Sequence, residues 1–169
     1  MSKLRFSLII TILAGLGLST ASAEPFSVGG FVFKPGEKWT AQAPTSSMRK
    51  AELKFDGSGD ESPVAVFFEF GKSGVEANIT RWKGQFQGGP TDEKIEKLAD
   101  NATIVELSGV YLDGPPFGGN KTPKDGYKML GAILEGETTA VFIKMTAPAE
   151  AADEAKEAFI ALVKAALEK

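Results

Sequence analysis

The strand that opens at Pro63 constrains the fold more than any other segment. Val64, Val66, Phe68 and Phe70 share one side of it, and Ala65, Phe67 and Glu69 share the other. Successive side chains of a strand point to opposite faces, so both faces here are largely apolar. Such a strand belongs in the interior of a sheet covered on both sides. That requirement predicts an α+β layered sandwich with a helix on each face.

Two segments can supply those helices. Ser73-Gly74-Val75-Glu76 fits a capping box, with the Ser side chain on the N3 amide and the Glu reaching back. Val75, Ile79, Trp82 and Phe86 then repeat at helical spacing, and Gly88-Gly89-Pro90 provides a stop. The second helix is C-terminal. Pro148 suits its first turn, and Ala151, Ala155, Phe159, Leu162 and Ala166 form its buried stripe.

The remaining chain reads as strands. Phe26 to Lys34 alternates loosely around Gly29-Gly30, and Ala51, Leu53 and Phe55 fall on one side of Lys50 to Phe55. Lys94 to Ala99 fits a helix or a strand, and a strand is preferred because Asp100-Asn101 can turn it back into Thr103 to Leu112. Tyr127 to Leu134 and Thr139 to Thr146 flank the turn Glu135-Gly136-Glu137. The expectation is an antiparallel-rich sheet of about six strands with a mid-chain and a C-terminal helix. Asp113 to Gly126 is rich in Pro and Gly and reads as a long loop that could cover a site.

The N-terminus has a different character. Lys3 and Arg5 precede an apolar run from Phe6 to Leu18, and small residues end at Ala21-Ser22-Ala23. These are the three parts of a secretory signal, and the run falls short of the ~20 residues a membrane span needs. With no cysteine, lipid attachment is impossible. The expectation is a signal peptide over 1–23 and one periplasmic or secreted domain over 24–169, with no stable membrane anchor after cleavage. All 22 acidic residues lie after Ala23, whereas Lys3 and Arg5 lie before it, so the domain is more acidic than the chain's net −3. An acidic domain without a basic run is a poor partner for nucleic acid or anionic membrane.

Histidine and cysteine are both absent. Ser-His-Asp and Cys-His nucleophilic schemes are excluded with them, as are zinc sites and haem ligation built on those residues. Asp56-Gly57-Ser58-Gly59-Asp60 resembles the start of a calcium loop, but Glu61 stands where Gly is needed and Phe67 where the closing Glu is needed. Gly114 to Thr122 resembles a phosphate loop with one residue too many before Lys121 and two prolines in place of needed amides. No metal or cofactor is expected.

One constellation remains. Taking the helix as continuous, Asn78, Arg81 and Gln85 share a flank beside its apolar stripe. After Ala23 the only arginines are Arg49 and Arg81, and Arg offers a planar fork for carboxylate that Lys lacks. Arg81 is expected to close a structural pair with Glu69, the lone acid of an interior strand, because unpaired buried charge is costly. The functional alternative is a polar patch of Asn78, Arg81 and Gln85 that contacts a ligand or a partner protein.

Phe33 to Trp39, Asn78-Ile79-Thr80-Arg81-Trp82, and Phe142 to Pro148 leading into the last helix resemble the PsbP-like fold. That fold is an α/β/α sandwich named after an extrinsic subunit of the photosynthetic oxygen-evolving complex. The chain also resembles small bacterial exported proteins carrying an Asn-x-x-Arg-Trp-x-x-Gln-Phe helix, over Phe31 to Lys169. The resemblance implies an accessory or binding module of the cell envelope whose partner is an unknown protein or small ligand. No residue set for photosystem binding is matched, so that role is not carried over. The competing expectation is a carboxylate-dependent hydrolase acting on envelope polymers, since acidic residues are plentiful.

Cleavage after Ala23 is the direct test of the export signal. Intact-mass measurement of the exported protein should place its N-terminus at Glu24, and full-length chain in the membrane fraction would refute the cleavage.

Overall fold

Seven strands form one antiparallel sheet, and two more form a small hairpin packed against it. The computed structural model describes residues 23–168 except Ser58, Asp60, Ser73 and 116–118. The segment 1–22, Ser73 and two residues of the calcium-like loop therefore lie outside the described residues; the mid-chain helix is capped by Gly74, one residue later than the capping box places it, with no side-chain cap.

Phe26–Val28 (β1) and Phe31–Phe33 (β2) pair around Gly29-Gly30. Both glycines have positive φ, 57° and 82°, which a two-residue hairpin turn of the favoured hand requires. Trp39–Gln42 (β3), Ala51–Phe55 (β4) and Val64–Gly71 (β5) follow as a meander. Then come Val75–Lys83 (α1), Asp92–Ala99 (β6), Ala102–Asp113 (β7), Thr122–Glu135 (β8), Thr139–Pro148 (β9) and Ala149–Leu167 (α2). The order across the large sheet is β3-β4-β5-β9-β8-β7-β6.

That order explains where α1 lies. The chain leaves β5 and must reach β6 at the far edge, crossing over β9, β8 and β7 on one face of the sheet. The second meander then returns strand by strand until β9 pairs with β5. From β9 the chain turns into α2, which packs on the opposite face with the β1–β2 hairpin.

Two cores result. On the α2 face, Phe159, Leu162 and Val163 pack with Phe33, Leu53, Phe67, Ile143 and Met145. The rings of Phe26 and Phe33 meet that of Phe67 with centroids 5.2 and 5.0 Å apart. On the α1 face, Ile79, Trp82 and Phe86 pack on Val105, Leu107, Met129, Ile133 and Phe142. The expected stripes of both helices are thus largely buried, although in α2 Ala152 and Val163 share the load while Ala151 stays at its margin.

Three local differences from the sequence reading have clear causes. Helix α1 ends at Lys83, not at Gly88, because the chain turns at Gly84 and residues 85–87 pair with β7 instead. The Asp113–Gly126 loop is shorter than expected because β7 runs to Asp113 and β8 starts at Thr122. Strand β5 is interior, but its Val64, Val66, Phe68 and Phe70 side is only half covered, since α1 lies over β7, β8 and β9. Phe70 stays 41% exposed.

Gly131 of β8 is what lets α1 approach. A Cβ there would meet the Trp82 indole, with Cε3 only 2.9 Å away. Gly131→Ala should therefore destabilise the protein by ~1–3 kcal/mol, the usual cost of overpacking. Urea unfolding measures it; an unchanged midpoint would show that Trp82 does not sit on this backbone.

Candidate functional site

The α1 face carries one charged residue on the central strand of the sheet. In β9, Val141, Ile143 and Met145 point to the α2 core, so Ala140, Phe142, Lys144 and Thr146 point the other way. Lys144 is flanked in register by Val66 on β5 and Gly131 on β8. Its neighbours on both sides lack any charge, so its ammonium must find partners farther off.

Those partners come from β7 and the segment after α1. The Lys144 Nζ donates to the Tyr111 hydroxyl at 2.8 Å and to Gln85 Oε1. It also stands over the Tyr111 ring, 4.9 Å from the centroid, where the negative face of the ring attracts a cation. A register shift between Gly109 and Tyr111 marks a bulge, and bulges bend the strand that carries them. Gln85 is pinned by its backbone: its carbonyl accepts from the Leu112 amide at 2.8 Å, while the Gln87 amide donates to the Val110 carbonyl at 2.9 Å. The turn at Gly84 thus converts the end of a helix into a strand-like clamp that holds Gln85 beside Tyr111.

A second tier extends from Tyr111. Its ring stacks on Tyr127 with centroids 6.3 Å apart, and the Tyr127 hydroxyl donates to Glu61 Oε2 at 2.7 Å. Lys124 lies over the Tyr127 ring at 5.1 Å and pairs with Asp113 at 3.2 Å.

Charge in this cluster is one-sided. Burial pulls the Lys144 ammonium down from its ordinary 10.5 to about 8. Asp113 opposes that shift, while Arg49, Lys121 and Arg81 add to it. Asp113, the one carboxylate that Lys144 feels, is already engaged by Lys124. Tyr111 is held above its usual 10, first by burial and then by Asp113, so it is neutral at neutral pH while its oxygen accepts from Lys144. Among the described residues, neither Lys144 nor Arg81 has an ion pair.

The residues expected from sequence separate into two groups. Gln85 belongs to the Lys144 cluster. Asn78 is buried, donates to the Gly74 carbonyl at 3.2 Å and accepts from Arg81 Nη2. Arg81 itself is exposed. The expected Glu69–Arg81 pair is not formed, and strand alternation is the reason. Glu69 is in register with Val141 and lies beside Gly29, on the α2 and hairpin face. Arg81 rides on α1, across the sheet.

Lys144 and Tyr111 were missed in the sequence. A lysine inside the alternating apolar run Ala140 to Met145 was a usable signal, of the same kind that drew attention to Glu69. Tyr111 offered none, because its place depends on the bulge and on the 85–87 clamp.

The acids do not converge. Glu52 is 4% exposed, yet it is held below the usual carboxylate range. Burial works against the charge, but hydrogen bonds from the Thr45 amide and hydroxyl and from Arg49 outweigh it. Glu106 pairs with Lys156 of α2 at 2.8 Å, on the other face. Among the described residues no three acids group as a metal site, and no helix is long and apolar enough to cross a membrane. An open depression bordered by Pro25, Gln42 and Leu53 lies at the β3–β4 edge, away from Lys144, and its buried acid Glu52 is already committed.

The depressed Lys144 fixes a pH signature. Below about pH 8 it is charged in both folded and unfolded chains; between about 8 and 10.5 the unfolded chain keeps a proton that the folded one has lost. Stability should therefore rise with pH in that window, by up to ~3 kcal/mol in full. Urea melts of wild type and Lys144→Met from about pH 7.5 to 9.5, below the tyrosine range, should show a rise only in wild type. Equal pH slopes in the two would mean Lys144 keeps its charge. No protein-family model and no curated protein matches this chain, so its role has to be argued from this cluster.

Proposed function

We propose that the protein is a non-catalytic binding or accessory module of the cell envelope. It is exported behind residues 1–23, acts in the periplasm or outside the cell, and is built on a PsbP-like α/β/α frame. The supporting observation is the Lys144 cluster: a half-buried ammonium on the central strand, held by a phenol and an amide and left without a counter-ion among the described residues. Desolvating a cation without a matching anion costs stability, and such a cost is tolerated most readily where a ligand supplies the missing charge.

Beside Lys144 the cluster offers no activated nucleophile: Tyr111 stays protonated at neutral pH, and the chain has no histidine or cysteine. A carboxylate-dependent hydrolase needs two acids facing one cleft. The two buried acids, Glu52 and Glu106, lie on opposite faces of the sheet, each in its own ion pair.

Thermal unfolding of the processed protein with the low-molecular-mass fraction of an envelope extract tests the proposal. The melting temperature should rise for wild type and stay unchanged for Lys144→Met. Hydrolysis of cell-wall polymers by wild type, lost in Glu52→Gln or Glu106→Gln, would overturn it in favour of an enzyme.

A further inference from the structure

We infer that the trough beside α1 binds an amphiphilic carboxylate, its head between Lys144 and Arg81 and its alkyl chain along Val66, Phe68 and Phe70. This rests on the binding-module proposal and names the ligand class. Four observations carry it.

The first is the pair of uncompensated cations. Among the described residues, Lys144 is bonded to the neutral Tyr111 and Gln85, and Arg81 to the neutral Asn78. Gln85 bonds Lys144 directly, and Arg81 of α1 is close enough to Lys144 for its charge to act on the ammonium. Other lysines also lack an ion pair among the described residues, but Lys144 is the one that burial holds well below its ordinary pKa.

The second is the opposite wall. Glu52, Val66, Lys144 and Gly131 lie side by side across β4, β5, β9 and β8 on this face. Arg49 stands over Glu52, bonded to it at 3.0 Å, and so sits about two strand spacings, or ~10 Å, from Lys144. Its charge is already balanced. It borders the trough without competing for the head group.

The third is the apolar floor. Val66, Phe68 and Phe70 continue from the Lys144 row along β5, and α1 does not cover them fully. Phe70 is 41% exposed although its ring stacks on Phe68 at 6.1 Å and meets Phe142 at 6.0 Å. From the Lys144 row to Phe70 is four residues of strand, ~13 Å, the reach of a chain of about ten carbons.

The fourth is charge count. Two cations, one of which loses its proton near pH 8, match a monoanion better than a dianion. The charged and titratable groups that Lys144 feels are Tyr111 and Asp113 from β7, Arg49 before β4, Lys121 before β8 and Arg81 from α1. A bound carboxylate would raise the Lys144 pKa again, so ligand affinity should fall as pH rises through about 8.

Calorimetric titration of the processed protein at about pH 7 tests this with decanoate, decanol and decyl phosphate as probes. Decanoate should saturate one site with Kd below ~1 mM, and decanol should not. Lys144→Met, Arg81→Gln and Phe70→Ser should each weaken decanoate by at least about tenfold. Arg81 is exposed, so its variant should keep the wild-type circular dichroism and report binding even if Lys144→Met fails to fold. No saturation by decanoate, equal binding of decanol, or wild-type affinity in Arg81→Gln would overturn the inference. Tighter binding of decyl phosphate by about tenfold would overturn the carboxylate assignment. If decanoate fails while the envelope extract still stabilises wild type, only the ligand class falls; if both fail, the binding proposal falls with it.

Discussion

Pairing of β5 with β9 is the contact on which the rest of the architecture hangs. It joins a three-strand meander from the first half of the chain to a four-strand meander from the second, in register from Ala65↔Met145 to Gly71↔Thr139. Until it forms, β5 and β9 each have an open edge, and the two meanders are joined only through the chain. Strands so distant in sequence close a large loop, which costs entropy before any contact repays it. The repayment is apolar: Phe67 and Ile143 meet on one face, Phe68 and Phe142 on the other. Both helices take their places from this seam. One crosses over it to reach the far edge, and the other leaves from its end.

The same seam places Lys144 where a charge is expensive. A central strand has no edge through which a side chain can easily reach water, and Gly131 on one side lets the Trp82 indole close in. A lysine can bury its aliphatic stem and keep its head at the rim, as long side chains do at interfaces. Its head then needs acceptors, and a phenol oxygen, an amide oxygen and a ring face supply three. The clamp of residues 85–87 on β7 therefore does two jobs. It ends α1 early, and it delivers the one amide that solvates the ammonium.

The fold was legible in the sequence wherever a period could be counted. The Ile79, Trp82 and Phe86 stripe, the Phe159 and Leu162 stripe, the Gly29-Gly30 hairpin and the edge strand Asp92–Ala99 all follow from local pattern. Even the ambiguous Lys94 to Ala99 resolved correctly, because a turn signal followed it. The site was legible only in part. Helical periodicity singled out Gln85, but it lies past the helix and reaches the site through the pairing of residues 85–87 with β7. The Glu69–Arg81 pairing failed for a reason periodicity cannot supply. Alternation says that Glu69 and Phe68 face opposite ways, but not which of those faces α1 will cover. That choice is made by the β5-to-β6 crossover, a property of the whole sheet.

Charge is distributed as unevenly as the hydrophobic cover. On α2, Glu150, Asp153, Glu154 and Glu157 crowd the first two-thirds of the helix, on the face away from α1. Arg49, Arg81, Lys83, Lys121 and Lys144 gather around the trough or along α1. At physiological salt the screening length is ~8 Å, shorter than the ~10 Å between packed layers, so each face acts almost by itself. The net negative charge then matters little to an anion already near the trough. Low local dielectric strengthens the attraction at short range, because Lys144 has shed much of its water. A domain that is acidic overall can therefore still hold an anion, provided that uncompensated cations, one of them desolvated, stand beside an apolar floor, as Lys144 and Arg81 do.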